Sequence, residues 1–352
     1  MKLSTVALLP LIALVAACGD SGGSSAGAVA VVSATPTPAA TATPTPTPTA
    51  TPTPAATPTP TPTASGFTAQ AAAMYTAGPS IANCTPGQLT SSVTNTLLTD
   101  LNTIRAFHKL PPVTYSPGDE AAAQASALMQ AANDSLSHTP PTSWKCYSSL
   151  GDTGSSTSNL YGGFGNGLTL ISEDEVLAGW LTETNNIVAD SVGHRRWLLY
   201  PFLGSVAYGR VAGASPTQTR GDAAALKVFN NTGSGVANGT LPPYVAYPYQ
   251  DYPARYFATT SLLSFSVIAS SNPNSSANST VNFANARVTV TQRGGSALTV
   301  SNQTYDNQGY GLPNNLQFAV AGLRTGTYYD VTITGVVVSG ATQSYSYYFR
   351  IV

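Results

Sequence analysis

The chain holds only three histidines, His108, His138 and His194, and only 8% of its residues are Asp, Glu, Lys or Arg. Acid–base or metal chemistry therefore has few places to sit. His138, in SLSHTPP, and His194, in VGHRRW, lie among Ser, Gly and Pro, in loop-like settings where functional side chains concentrate. They are too far apart in sequence for a spacing motif. His108 closes a helix-like stretch, where an imidazole commonly meets terminal carbonyls. Asp190, four residues before His194, either orients that imidazole from behind or shapes the loop.

The string GDSGG at 19–23 matches the one around the nucleophile of chymotrypsin-like proteases, but that mechanism needs a histidine and an aspartate as partners of the serine. What precedes it is a lysine, an apolar run and small residues, the pattern of a secretory signal peptide over 1–17. Val15-Ala16-Ala17-Cys18 resembles a bacterial lipobox, which implies cleavage before Cys18 and lipidation there. Ser21 then begins a flexible leader. Gly19 lacks the aspartate that marks inner-membrane retention in some bacteria, so the expected location is the cell envelope, outer surface or periplasm-facing. The partner expected at Cys18 is the membrane.

From Ala34 to Ala64 the chain uses only Ala, Thr and Pro. Such sequence favours extended polyproline II and cannot build a core, so 18–65 reads as a lipid-anchored stalk. With Cys18 committed to lipid, Cys84 and Cys146 either pair, as two thiols in an oxidising compartment commonly do, or remain buried and free. Pairing them closes a loop of about 60 residues, worth roughly 4 kcal/mol in the chain-entropy account. The net charge is −1 with no basic stripe, which argues against a nucleic-acid partner.

The elements that must position the histidines follow from periodicity. Val93, Leu97, Leu98, Leu101, Ile104 and Phe107 mark one helical face, ended by Pro111-Pro112. A second helix is predicted from about Pro117 to Asn133, with Pro at its start and acids in its first turn. Residues 148–170 are rich in Gly and Ser and read as irregular. Ser172 through Glu175 form a capping-box pattern opening a third helix. HRRWLLY, SVAYGRVA and AALKVF read as strands, and if Arg195 and Arg196 begin a strand at most one points into a groove. From Ala258 onward, short alternating segments predict a β-sandwich over 258–352.

Five pieces in order, LNTIRAFHKLPPVTYSPGDEAAAQASALM, SLSHTPP, SNLYGG, VLAGWLTE and VGHRRWLLYP, resemble the CAP superfamily of cysteine-rich secretory, antigen-5 and pathogenesis-related proteins. The resemblance spans roughly Thr90 to Asn230, so 66–257 is assigned to this domain with its flanks. It implies an α+β fold: a CAP-type α-β-α sandwich, followed here by the C-terminal all-β, immunoglobulin-like sandwich. It also implies a groove lined by two histidines, matching His138 and His194, and two acids, which in some members hold a divalent metal. The acid after the helix tryptophan matches Glu183. The other normally opens a Glu-Asn-Leu string, and here Ser158-Asn159-Leu160-Tyr161 stands in its place.

Serine is a poor zinc ligand, so the implied set shrinks to His138, His194 and Glu183, still a known arrangement for zinc with an open position. Zinc or another divalent metal is one expectation; a hydrogen-bonded histidine pair without metal is the other. If the site is catalytic, the same three residues are the candidates, for metal-assisted, peptidase-like hydrolysis. Ser158, Asn159 and Tyr161 are placed on the groove, with Asn159, Leu160 and Tyr161 in structural roles and no nucleophilic role for Ser158. Trp180 and Trp197 read as core. The expected function is a non-catalytic groove for a small amphiphile, a peptide or a cell-envelope polymer.

Overall fold

The computed structural model describes residues 66–213, 220–230 and 241–352. The expected signal peptide, Cys18 and the Ala/Thr/Pro tract lie outside the described residues. All described residues belong to one unit, Thr61–Val352. In chain order its elements are α1 (Phe67–Ala73), β1 (Tyr75–Ala77), β2 (Gln88–Leu89), α2 (Ser91–Phe107), β3 (Thr114–Tyr115), α3 (Glu120–Ala132), α4 (Ser149–Ser156), β4 (Ser158–Phe164), α5 (Glu173–Thr182), α6 (Gly193–Leu198), β5 (Ser205–Gly213) and β6 (Gly221–Lys227). Then follow β7 (Tyr244–Tyr247), β8 (Gln250–Tyr252), β9 (Leu263–Val267), α7 (Ser276–Ser279), β10 (Arg287–Gln292), β11 (Val300–Asp306), β12 (Asn315–Val320), β13 (Tyr328–Val338) and β14 (Ala341–Ile351).

The first half is a three-layered α-β-α arrangement. Its sheet runs β3-β5-β6-β4, with β3 parallel to β5 and the other pairs antiparallel. Strand alternation sends Val211 and Ala223 to one face, against Ala127, Leu128 and Ala131 of α3. Tyr208, Ala224 and Leu226 face the other way, into the core with Leu97, Leu101 and Ile104 of α2 and Val176, Leu177, Trp180 and Leu181 of α5. Helix α3 is buried from Ala122 to Ala132, which explains its alanines: the sheet approaches so closely that a Cβ on Gly209 would lie 2.3 Å from the Ala123 backbone. Helix α5 opens on a complete capping box between Ser172 and Glu175.

Two readings of local structure are corrected. The Gly/Ser-rich stretch is ordered: α4 is capped by the Ser148 hydroxyl, and β4 pairs along its whole length with β6. Tertiary contact overrides propensity there, because Gly154 lets α4 sit against α3 where a Cβ would come 2.1 Å from Ala122 O. HRRWLLY is not a strand; Gly193–Leu198 is the helix α6. Both of its arginines are buried. Cys84 and Cys146 form a disulfide with Cα atoms 5.1 Å apart.

The C-terminal half is a β-sandwich of two four-stranded sheets, β10-β13-β14-β8 and β11-β12-β9-β7. Tyr345 and Tyr347 of β14 meet Phe265 of β9 and Tyr244 of β7, filling the space between the sheets with rings. Two of its strands, β7 and β8, precede residue 258: β7 pairs with β9, and β8 runs parallel to β14. The core is continuous between the halves, one apolar cluster running from Leu97 and Leu181 to Tyr247, Phe265 and Phe349.

Candidate functional site

His194 sits on α6, the short helix after the loop that leaves α5. Glu183 is the C-cap of α5 in a left-handed conformation (φ 59°), and this bend turns its carboxylate back toward α6. His194 Nδ1 donates to Glu183 Oε2 (2.8 Å), and the Arg195 backbone N–H donates to Oε1 (3.0 Å). Asn186 Nδ2 also donates to Oε2 (2.8 Å). Both oxygens are thus occupied, and the carboxylate is almost fully buried. Its effect is to orient the imidazole with Nδ1 as donor, while Nε2 has no hydrogen bond among the described residues. Trp180 stacks against the His194 ring at 6.5 Å while its indole N–H holds Leu160 O of β4 (2.8 Å). It is both core and ring support.

His138 is more exposed. Its Nδ1 donates to Ser155 O (2.9 Å), which again leaves Nε2 bare. Asn159 Nδ2 donates to His194 O (3.1 Å). The two histidines are therefore tied to opposite ends of one stretch, Ser155 to Asn159, which runs from α4 into β4. Ser158, between them, is buried, and its hydroxyl has no hydrogen-bond partner among the described residues. Tyr161 is half-buried on β4, and desolvation pushes its phenol up to about 12, so it stays a neutral hydroxyl.

Among the described residues no three His, Cys, Asp or Glu side chains converge as a set able to hold a metal ion. The Glu183 oxygens accept three hydrogen bonds, and serine stands at the second acid position. Asp190 does not touch either imidazole through any recorded bond; its carbonyl accepts from Gln317 Nε2 (2.6 Å), a loop role. Neither Arg195 nor Arg196 lines a groove. Both point away from His194, into the C-terminal sandwich.

Three positioning residues escape a sequence reading. Gln130 of α3 donates to Ser137 O (3.1 Å) and accepts from the Ser137 N–H (2.8 Å), clamping the residue before His138, and also donates to Ser155 Oγ (3.0 Å). Arg195 donates to Leu181 O (2.6 Å), Thr182 O (3.4 Å), Leu262 O (2.7 Å) and Ser264 Oγ (3.2 Å), with its guanidinium 3.8 Å from the Tyr247 ring centre. Arg196 grips both oxygens of Asp306 (2.9 and 3.0 Å) and Leu312 O (2.8 Å). A glutamine in an alanine helix carries no signal of its own, and the strand reading put at most one of the two arginines in the groove, so only burial reveals all three.

Replacing Gln130 with leucine should leave the Ser137 amide and carbonyl unpaired at a cost of about 2 kcal/mol, and amide exchange over residues 135–139 should accelerate. Unchanged exchange there would remove Gln130 from the site.

Residues 98–218 match the family model described as CAP, the cysteine-rich secretory protein family. The match supports a CAP domain over that segment, and the matched stretch contains His138, Ser158, Asn159, Tyr161, Glu183 and His194. No curated protein matches the sequence. Among the described residues no helix is long and apolar enough to cross a membrane.

Proposed function

We propose that this is a surface-displayed, lipid-anchored CAP-domain protein whose groove binds a small amphiphile, a peptide or a cell-envelope component without turning it over. The observation that carries this reading is the commitment of Glu183: its two oxygens hold Asn186, His194 and Arg195 in place, and the neighbouring acid position is Ser158. That leaves two fixed imidazoles, each with a bare Nε2 that accepts a hydrogen bond from a ligand, and no spare carboxylate to activate water. A disulfide and a family named for secretory proteins support display outside the cytoplasm. The anchor rests on the sequence around Cys18.

The test is calorimetric titration of the full chain with phospholipid vesicles, solubilised envelope glycan and a peptide panel, repeated with His138→Ala and His194→Ala. Binding that weakens in both variants supports the groove. Absence of heat with all three classes rejects it.

One observation favours a second reading. The Glu183–His194 pair is the carboxylate–imidazole half of a general-base site, with Nε2 free to take a proton. Hydrolysis of a peptide or ester panel that disappears in His194→Ala would establish it; equal turnover in the variant would discard it.

A further inference from the structure

A concavity lined by neither His138 nor His194 lies where the loop after α5 meets the turn before β9. Its volume is about 240 Å³, and both halves of the molecule build it: Thr184, Asn186, Asp190 and Ser191 from the CAP side, Thr260 and Ser261 from the sandwich side. The geometry points to this pocket as a binding site for one neutral sugar residue, with Glu183 as the wall it shares with the His194 site.

The chemistry of the lining selects the ligand class. Hydroxyls, an amide and carboxylates provide donors and acceptors in mixture, which is what vicinal hydroxyls of a sugar require. No lysine or arginine lines the cavity, and Glu183 and Asp190 disfavour an anion. An acyl chain would strand this polar wall without hydrogen-bond partners. The Asp190 carboxylate and the Thr260 hydroxyl have no recorded protein partner among the described residues, so they are available to a ligand. Val188, 60% exposed, lines the same cavity, with Ile187, 79% exposed, next to it in the chain. Together they supply an apolar edge for the C–H face of a ring. The volume equals about eight waters at ~30 Å³ each, the scale of a single ring rather than a chain.

The site is also pre-built. Gln317 of β12 holds Asp190 O, Ser261 Oγ donates to Thr182 O (2.8 Å), and Arg195 holds Leu262 O, so the two walls are fastened to each other on several sides. A ligand entering such a pocket does not first have to order it. Sugar binding here goes beyond the groove function and does not depend on what the groove takes.

The experiment is saturation-transfer NMR on the full chain with glucose, galactose and N-acetylglucosamine, for the natural sequence and for Thr184→Trp and Thr260→Trp. Both positions are exposed and lie on opposite walls, so each tryptophan fills the cavity from one side while the fold is retained; circular dichroism checks this. Thr334→Trp, exposed on β13, is the control for an added indole. At least one sugar should bind, about tenfold or more weaker in both plugged variants, and unchanged in Thr334→Trp and in His138→Ala. The proposal is overturned if none of the sugars binds, if neither plug weakens binding, or if His138→Ala abolishes binding while the plugs do not, which would assign the sugar to the groove.

Discussion

Replacing Arg195 with leucine is expected to destabilise the molecule by about 3 kcal/mol and to loosen both the loop carrying Glu183 and the sandwich edge at Leu262. The guanidinium is fully buried and donates to four acceptors, three of them backbone carbonyls that have no water to turn to. Leucine fills part of the volume but removes the donor to Leu181 O and Leu262 O, while Thr182 O keeps the Ser261 hydroxyl. The loss is smaller than for a broken buried ion pair, because the guanidinium itself touches no carboxylate and its removal strands no opposite charge. Burial pulls the guanidinium below its ordinary range, opposed by the nearby Tyr247 and Glu183. Arg195→Lys should recover only part of the stability, since an ammonium cannot span α5 and β9 at once. Urea denaturation with hydrogen exchange over 181–195 and 260–264 reads both effects. A change below about 0.5 kcal/mol would show that Arg195 does not hold these elements together.

Acidification is expected to weaken the protein through His108. This residue caps α2, yet its imidazole faces the sandwich: Nδ1 donates to Ala246 O (2.9 Å) and Nε2 accepts from the Tyr252 hydroxyl (3.0 Å). Complete burial, with the charges of Arg195 and Arg105 adding to it, holds the imidazole down at about 3 against an ordinary value of 6.5. Between these values the unfolded chain binds a proton that the folded one refuses. Stability from this group is therefore present above pH 6.5 and is lost as pH falls, by about 1.4 kcal/mol per pH unit. At pH 4.5 the natural sequence should have lost roughly 3 kcal/mol more than His108→Gln, whose amide can still donate and accept but does not titrate. Urea midpoints at pH 7 and pH 4.5 for the two proteins give the comparison directly. Parallel loss in both would place the acid sensitivity elsewhere.

What could be read from sequence followed the strength of local patterning. Helices α2, α3 and α5 declare themselves through apolar spacing, an initiating proline and a capping box, each a property of a few neighbouring residues. Ordered motifs identified the CAP segment, and alternation announced the sandwich. Helix α4 and strand β4 were hidden because glycine and serine carry little intrinsic preference and are ordered by what packs on them, as Gly154 is by α3. Helix α6 was misread because six residues are too few to show a helical repeat of apolar positions, and because arginine is ordinarily a surface residue whereas both arginines here are buried. At the site, motif matching names His138, His194 and Glu183 but cannot say how a carboxylate spends its oxygens. That depends on a left-handed turn at Glu183 and on Asn186 and an Arg195 backbone N–H arriving from elsewhere in the chain.

The six residues of α6 bear on how this protein is inherited and dissected. One residue of the helix belongs to the groove, and the next two find their partners on the far side, at Leu262, Ser264, Asp306 and Leu312. The segment recognised as CAP ends at residue 218, well before any of those partners. A fragment cut at the family boundary would expose two arginines built for burial and the apolar face around them. A fragment ending at that boundary would therefore lack partners on which α6 relies for its buried charges.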